Sequence, residues 1–198
     1  MPQITYILVA DGGTDRVLIP IINWAIHRLD PEAEILEPDF VKRRGPVGEF
    51  LNSLETGAMV VFVHRDAETE DSLTRLFEFA NVDDERVVPV IPVRMTEAWL
   101  LCSSSAIASA AGRPKAEVLL PALASVESLP DPKAHLEELI IHAAGAPTGR
   151  RGKQLRASII ERRVSVAERI ADYSPLEALP SFTDFQQRLA SAYPYGRS

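Results

Sequence analysis

Cysteine occurs once in this chain, at Cys102, so a disulfide framework and a multi-cysteine zinc site are both excluded, in keeping with a reducing compartment. The four histidines, His27, His64, His135 and His142, show no HExxH spacing, and no GxSxG elbow supports a hydrolase triad. No apolar run approaches the roughly 18 residues of a spanning helix, and no basic leader with an apolar run and a small-residue cleavage site opens the chain. The expectation is a soluble, cytoplasmic protein with no membrane partner. Cations are in the minority: the formal charge is -7, which argues against a generally adhesive nucleic-acid binder.

What is present suffices for one sizeable core, since 46% of the 198 residues are apolar. Up to about residue 95, strand and helix patterns alternate: a strand over 3–10, a helix from Asp15 to Leu29 capped by Thr14, and a strand over 34–41. A short helix at Val47–Leu54, a strand over 59–63 and a helix over 71–80 follow, the last with Leu73, Leu76, Phe77 and Ala80 on one face. A fourth strand over 86–93 contains Pro89 and Pro92, which places it at an edge or bends it. From Thr96 onward the pattern is helical, over 96–111, 115–124, 132–144, 154–173 and 182–193, before a frayed tail at 193–198. The fold class predicted is α/β, a mostly parallel sheet flanked by helices with a helical C-terminal portion. The division is residues 1–110 and 111–198, or one single domain.

Two acidic clusters follow apolar strands. Asp11-Gly12-Gly13-Thr14-Asp15 follows the first, and His64-Arg65-Asp66-Ala67-Glu68 follows the third, with Thr69, Glu70 and Asp71 continuing the acidic run. Ligands of open parallel sheets bind outside the carboxyl ends of strands, so both clusters are expected at one site. Carboxylates gathered there repel unless a cation joins them, the pattern of a magnesium-dependent phosphoryl-transfer centre. The alternative for each cluster is an ordinary strand-to-helix turn or loop. Glu97 is a third candidate acid, unless it is only a first-turn helix residue beside a core Trp99. Residues 149–163 hold six basic side chains against one acidic, Lys42-Arg43-Arg44 form a second patch, and Arg outnumbers Lys by 17 to 4. Arg-rich clusters suit bidentate phosphate contacts, although a compositional preference explains them equally well. Pro147–Gln154 resembles the end of a P-loop but lacks its first glycine and its Ser/Thr, and reads as a mobile basic loop. His135 and His142 read as surface residues, and Cys102 as core.

The first cluster resembles the Glu-Gly-x-Thr-Glu entry of Toprim-type domains, and His-Arg-Asp-Ala-Glu resembles their Asp-x-Asp element. Pro92 to Leu101, containing Glu-Ala-Trp-Leu-Leu, is similar to the signature of a bacterial Toprim-like family of unknown function, as are Asp131-Pro132-Lys133 and Ser181-Phe182-x-x-Phe185. The resemblance implies a nuclease using Mg²⁺ or Mn²⁺, with a role in DNA repair or phage defence. It implies Asp11 as general acid or base, Asp66 as metal ligand with Glu68, His64 or Asp11 assisting, and Glu97 as a further catalytic acid. Gly12, Gly13, Thr14 and Asp15 would form the first-motif turn, and Arg150, Arg151 and Lys153 would hold the nucleic acid. Two departures, Asp11 for Glu and His64 for Asp, leave open a degenerate module that binds a nucleotide, nucleic acid or a protein partner.

Overall fold

The computed structural model describes residues 2–68, 70 and 72–194. Thr69, Asp71 and the expected frayed tail beyond Pro194 lie outside them. The chain begins with β1 (Gln3–Ile4), β2 (Tyr6–Ala10), a 3₁₀ turn (Gly13–Val17), α1 (Leu18–Leu29), β3 (Glu34–Ile35) and β4 (Asp39–Lys42). It continues through α2 (Val47–Asn52), β5 (Val60–His64), α3 (Ser72–Phe77), β6 (Val87–Val90), a 3₁₀ turn (Thr96–Leu100) and α4 (Ser104–Ala110). A 3₁₀ turn (Leu123–Ser128), α5 (Pro132–Ala143), α6 (Gly149–Ala157), α7 (Ile159–Arg169), another 3₁₀ turn (Ser174–Ala178) and α8 (Pro180–Ala192) complete it. The protein is α/β, with parallel sheets flanked by helices and a helical C-terminal part. Among the described residues no helix is long and apolar enough to cross a membrane.

Four strands pair in the order β4-β2-β5-β6, all parallel, and β1 pairs with β3. The register moves from Gln3↔Glu34 to Ile7↔Asp39, so one extra residue lies between β3 and β4 and the edge bulges there. Alternation along the strands builds two layers. Tyr6, Leu8, Val60, Phe62, Val88 and Val90 pack into the main core with residues of α1, α4, α5, α7 and α8, while Ile7, Val9, Val61 and Val63 meet Val47, Phe50 and Leu51 around α2. One contiguous core thus joins strand residues with Leu136, Val166, Phe182 and Phe185 of the later helices.

Several boundaries differ from the sequence expectation, each for a physical reason. The α-helix expected from Asp15 begins at Leu18, because Pro20 has no N–H and fits only a first turn. Thr14 is not its cap; Val17 is, and Gly12 caps the 3₁₀ turn before it, where the Gly12 N–H donates to Asp15 Oδ2 at 2.9 Å. The apolar face expected on α3 is exposed, Leu73 at 61% and Phe77 at 78%, because the buried side of this short helix carries Arg75 toward carboxylates. No helix forms over 115–124. Pro114 precedes that stretch and Pro121 interrupts it ahead of the 3₁₀ turn at Leu123, and Ala116, Val118 and Leu120 pack on the core at period two, as an extended chain would. The helix expected over 154–173 is two, broken at Ser158, and the basic loop expected at 147–154 is the start of α6. Gly152 permits that start, since a Cβ there would come within 2.3 Å of the Pro147 carbonyl oxygen. β6 is an edge strand with Pro89 within it, as its prolines predicted.

Trp99 lies at the centre of the main core. Its ring stands edge-on to Phe182 at 5.2 Å and beside Phe185 at 5.9 Å, and its Nε1–H donates to Ser181 Oγ at 3.1 Å. The Glu-Ala-Trp-Leu-Leu and Ser-Phe-x-x-Phe motifs therefore meet in one packing cluster that fastens α8 to the 3₁₀ turn after β6. Asp131 is the N-cap of α5, accepting from Ala134 N at 2.8 Å. Trp99→Ala should lower the unfolding free energy by about 3–5 kcal/mol in urea denaturation. A cost under about 1 kcal/mol would show that this cluster does not hold the helical part to the sheet.

Candidate functional site at the carboxyl edge of the sheet

From β2 the chain crosses through α1 to β3 and β4 on one side, whereas from β5 it crosses through α3 to β6 on the other. The crevice between β2 and β5 is therefore a topological switch point, the place where an open parallel sheet accepts a ligand. Both acidic clusters open onto it: Asp11, Gly12, Thr14, Asp15, His64, Arg65, Asp66, Glu68 and Arg75 line one cavity of about 440 Å³.

His64 organises this cavity from below. Its side chain is only 2% exposed, with Nε2 3.0 Å from Asp66 Oδ1 and Nδ1 3.3 Å from Asp15 Oδ2. The Nδ1 contact is an ion pair without hydrogen-bond alignment, which leaves that nitrogen buried and electrostatically held. Burial opposes a charge on the ring, but the contacts and charges of Asp15 and Asp66 outweigh it and raise the pKa to about 10. Burial likewise opposes the charge on Asp15, and the contact and charge of His64 with the bonds from Gly12 and Thr14 overcome it, so its pKa is lowered. Thr96 completes the arrangement. Its backbone N–H donates to Asp66 Oδ1 at 2.9 Å, and its hydroxyl lies 2.9 Å from His64 Nε2 and 3.2 Å from Asp66 Oδ1. Both ring nitrogens of His64 are turned to carboxylates, and its raised pKa favours the imidazolium, which has no free lone pair for a metal.

Further cations reach the cavity from neighbouring elements. Asp11 accepts from Arg43 at Oδ1 and from Arg65 at Oδ2. Arg65 Nε also contacts Glu78 at 2.8 Å, and Arg75 contacts Glu78 at 3.0 Å, Glu70 at 3.3 Å and Glu68 at 3.7 Å. Arg75 Nε donates to the Asp66 carbonyl at 3.1 Å, tying α3 to the loop that carries the second cluster. That loop also continues the β5–β6 pairing: Arg65, Ala67 and Glu68 donate backbone N–H groups to the carbonyls of Val90, Pro92 and Arg94 at 3.0, 3.1 and 2.8 Å. Glu68 and Arg94 face each other at φ 55° and 66°, a left-handed conformation costing on the order of 1 kcal/mol for each non-glycine residue.

The structure brings Asp11, Asp15, Asp66 and Glu68 together. It does not bring Glu97 into the cavity. Glu97 is buried and ion-paired with Arg163 of α7, and Arg163 Nε is 3.7 Å from Glu137. Burial raises the Glu97 pKa; Arg163 opposes this, and the charge of Asp66 adds to it. Glu97 therefore acts as an anchor between the 3₁₀ turn and α7. Arg150, Arg151 and Lys153 do not reach the cavity either: all three are exposed on α6, and Arg151 lines a different one. Cys102 is partly buried, and desolvation pushes its thiol up to about 12. Arg43, Arg65, Arg75 and Thr96 are the functional residues that sequence reasoning missed. Arg43 and Arg65 carried a signal, Arg43 inside the Lys42-Arg43-Arg44 patch and Arg65 inside the second cluster, and both pair with the Asp11 carboxylate. Among the described residues no three His, Cys, Asp or Glu side chains converge as a metal cluster.

The imidazolium has a testable consequence. His64 is raised above its unfolded value of about 6.5, so its contribution to stability is complete below that pH and disappears as pH rises through about 10. In NMR titration the His64 ring should stay protonated from pH 6 to 9, with stability declining on the alkaline side. A ring titrating near 6.5 would refute the buried charge. Asp66→Asn should lower the stability of the metal-free protein by about 2 kcal/mol or more in urea, because it strips a partner from that cation. No loss of stability would mean that repulsion among the carboxylates dominates.

No protein-family model, curated protein or solved structure matches the chain, which leaves its own geometry as the ground for assigning a function.

Proposed function

We propose that the protein is a divalent-metal-dependent phosphodiesterase acting on nucleic acid. The observation that supports this reading best is a surplus of negative charge at the switch point. Six carboxylates, Asp11, Asp15, Asp66, Glu68, Glu70 and Glu78, share four cations, Arg43, His64, Arg65 and Arg75, in two ion-pair groups that the Arg75 bond to the Asp66 carbonyl joins. A lone phosphate would add to that surplus and be repelled. A phosphate arriving with a divalent cation balances it.

The donor set fits such an ion. Magnesium takes one or two carboxylates and completes its shell with waters and substrate phosphate, so a three-ligand protein cluster is not required. Asp66, with Glu68 or Asp11 assisting, would hold Mg²⁺ or Mn²⁺; the three line the cavity, and the side chains of Asp66, Glu68 and Asp11 are 29%, 64% and 43% exposed. When bound, the ion supplies Lewis acidity to the phosphoryl oxygen and to an attacking water. The protein's own residues fix the geometry. His64 and Thr96 orient Asp66, Arg75 holds the loop that presents it, and Arg43 and Arg65 fix Asp11. Both Asp11 oxygens are engaged by guanidinium groups, so Asp11 can carry a proton only after releasing one of those bonds. A part in DNA repair or phage defence belongs to the same proposal through the Toprim resemblance, as does a cytoplasmic location.

A second reading, a degenerate module that binds a nucleotide, nucleic acid or partner protein, is favoured by one observation: the His64 cation stands where the resembling domains carry an aspartate. The two readings separate in one experiment. Under the first, Mg²⁺ or Mn²⁺ at about 100 times its dissociation constant should stabilise the protein by about 2.7 kcal/mol, read as a rise in Tm, with metal-dependent cleavage of DNA or RNA. Glu68→Gln and Asp11→Asn, at exposed positions that keep the fold, should reduce both responses. No metal-linked shift and no cleavage of single-stranded or duplex substrates with either metal would overturn the first reading in favour of the second.

A further inference from the structure

A second cavity, of about 610 Å³, opens among the C-terminal helices and has the opposite character. It is lined by Arg113, Arg151 and Arg162 together with Thr148, Gln154, Ser158 and small or apolar residues, and by no carboxylate. Three guanidinium groups in one hollow, on a chain of net charge -7, call for an anion.

The helix ends explain how the hollow is built. α4 closes with a left-handed Gly112 (φ 80°), and the next residue, Arg113, returns its N–H to the Ala108 carbonyl at 3.0 Å. α5 closes in the same way, with Gly145 at φ 89° and the Ala146 N–H returned to the Ile141 carbonyl at 2.9 Å. Both are Schellman endings, which turn the chain sharply and leave space beside the turn. Arg113 lies against the bare α-carbon of Gly145, where an added Cβ would fall 2.6 Å from Arg113 Nη1. Arg162 is fixed by bonds to the Ala110 carbonyl at 2.5 Å and to Ser158 Oγ at 3.2 Å. Arg113 and Arg151 have no side-chain hydrogen bond or ion pair among the described residues, so their donors remain available to a ligand.

We propose that this cavity is a binding site for the phosphodiester backbone of nucleic acid, with Arg113 and Arg151 contacting phosphate and Arg162 lending its fixed charge. The lining excludes a nucleotide pocket as the simpler account, because it contains no aromatic ring or histidine on which a base could stack. Exposed Arg150, Lys153 and Arg156 on α6 extend the positive surface beyond the hollow, as a strand longer than one nucleotide requires. That the bound strand is what the acidic cavity acts on rests on the function proposed above; the binding itself does not.

The test uses the full chain, with fluorescence anisotropy of a labelled single-stranded oligonucleotide at several salt concentrations, and with AMP, ATP and inorganic phosphate as competitors. Wild type should bind the oligonucleotide with log affinity falling as log salt rises. Arg113→Ala with Arg151→Ala should weaken binding at least tenfold and flatten the slope by about 1.4, at about 0.7 per lost contact. Gly145→Ala should weaken it by displacing the Arg113 guanidinium. Both arginines are exposed, so unaltered Tm values will confirm folded variants. Three results would overturn the proposal: no oligonucleotide binding, binding unaffected by the double substitution, or binding of ATP or phosphate as tight as that of the oligonucleotide. Oligonucleotide binding with no metal response would leave this site standing and remove only the function proposed for the acidic cavity.

Discussion

A single buried charge sets the terms for the rest of this structure. His64 is desolvated at the end of β5, where an unpaired imidazolium would be untenable, and the fold delivers a carboxylate to each of its ring nitrogens. Asp15 comes from the turn after β2, and Asp66 comes from the loop after β5. One ring thus ties the two clusters to each other across the crevice. The same requirement explains Thr96, whose N–H and hydroxyl satisfy the Asp66 oxygen that faces the ring.

Outside that centre the charges are graded by exposure, and their energetic weight follows. Arg75 to Glu68, whose carboxylate is 64% exposed, belongs with surface pairs worth roughly 0–1 kcal/mol. Arg163 with Glu97 is different in kind, since both groups are nearly buried and loss of either would strand the other. This pair joins α7 to the turn that supplies Thr96, so the helical portion bears on the acidic site through a charged contact as well as through the Trp99 cluster.

The strands and the acidic carboxyl ends of the sheet could be read from the sequence because they depend on local apolar runs and on alternation, which are visible one segment at a time; the strand order that makes a switch point could not. Asp11, Asp66 and Glu68 were placed correctly for the same reason: each follows such a run. The partners could not be read that way. Arg43, Arg65 and Arg75 come from three different loops or helices, and only the three-dimensional path brings them to Asp11 and Glu78. His64 was taken as a substituted ligand because its residue type was visible and its burial was not. Residues 115–124 misled for a local reason, since Leu119, Leu120 and Leu123 mimic a helical stripe while Pro121 and the period-two packing of Ala116, Val118 and Leu120 decide the conformation.

The separation of charge between the two cavities narrows what kind of substrate the protein can handle. An acidic hollow at the switch point repels a bare phosphate, and a basic hollow among the helix ends attracts one without the ring needed to grip a base. A mononucleotide would satisfy neither well. Under the two proposals above, a polymer would place one backbone phosphate in the basic hollow while another, accompanied by a cation, meets the carboxylates. The affinity gained at the first then offsets the repulsion at the second, an effective-concentration advantage that only a connected chain of phosphates provides.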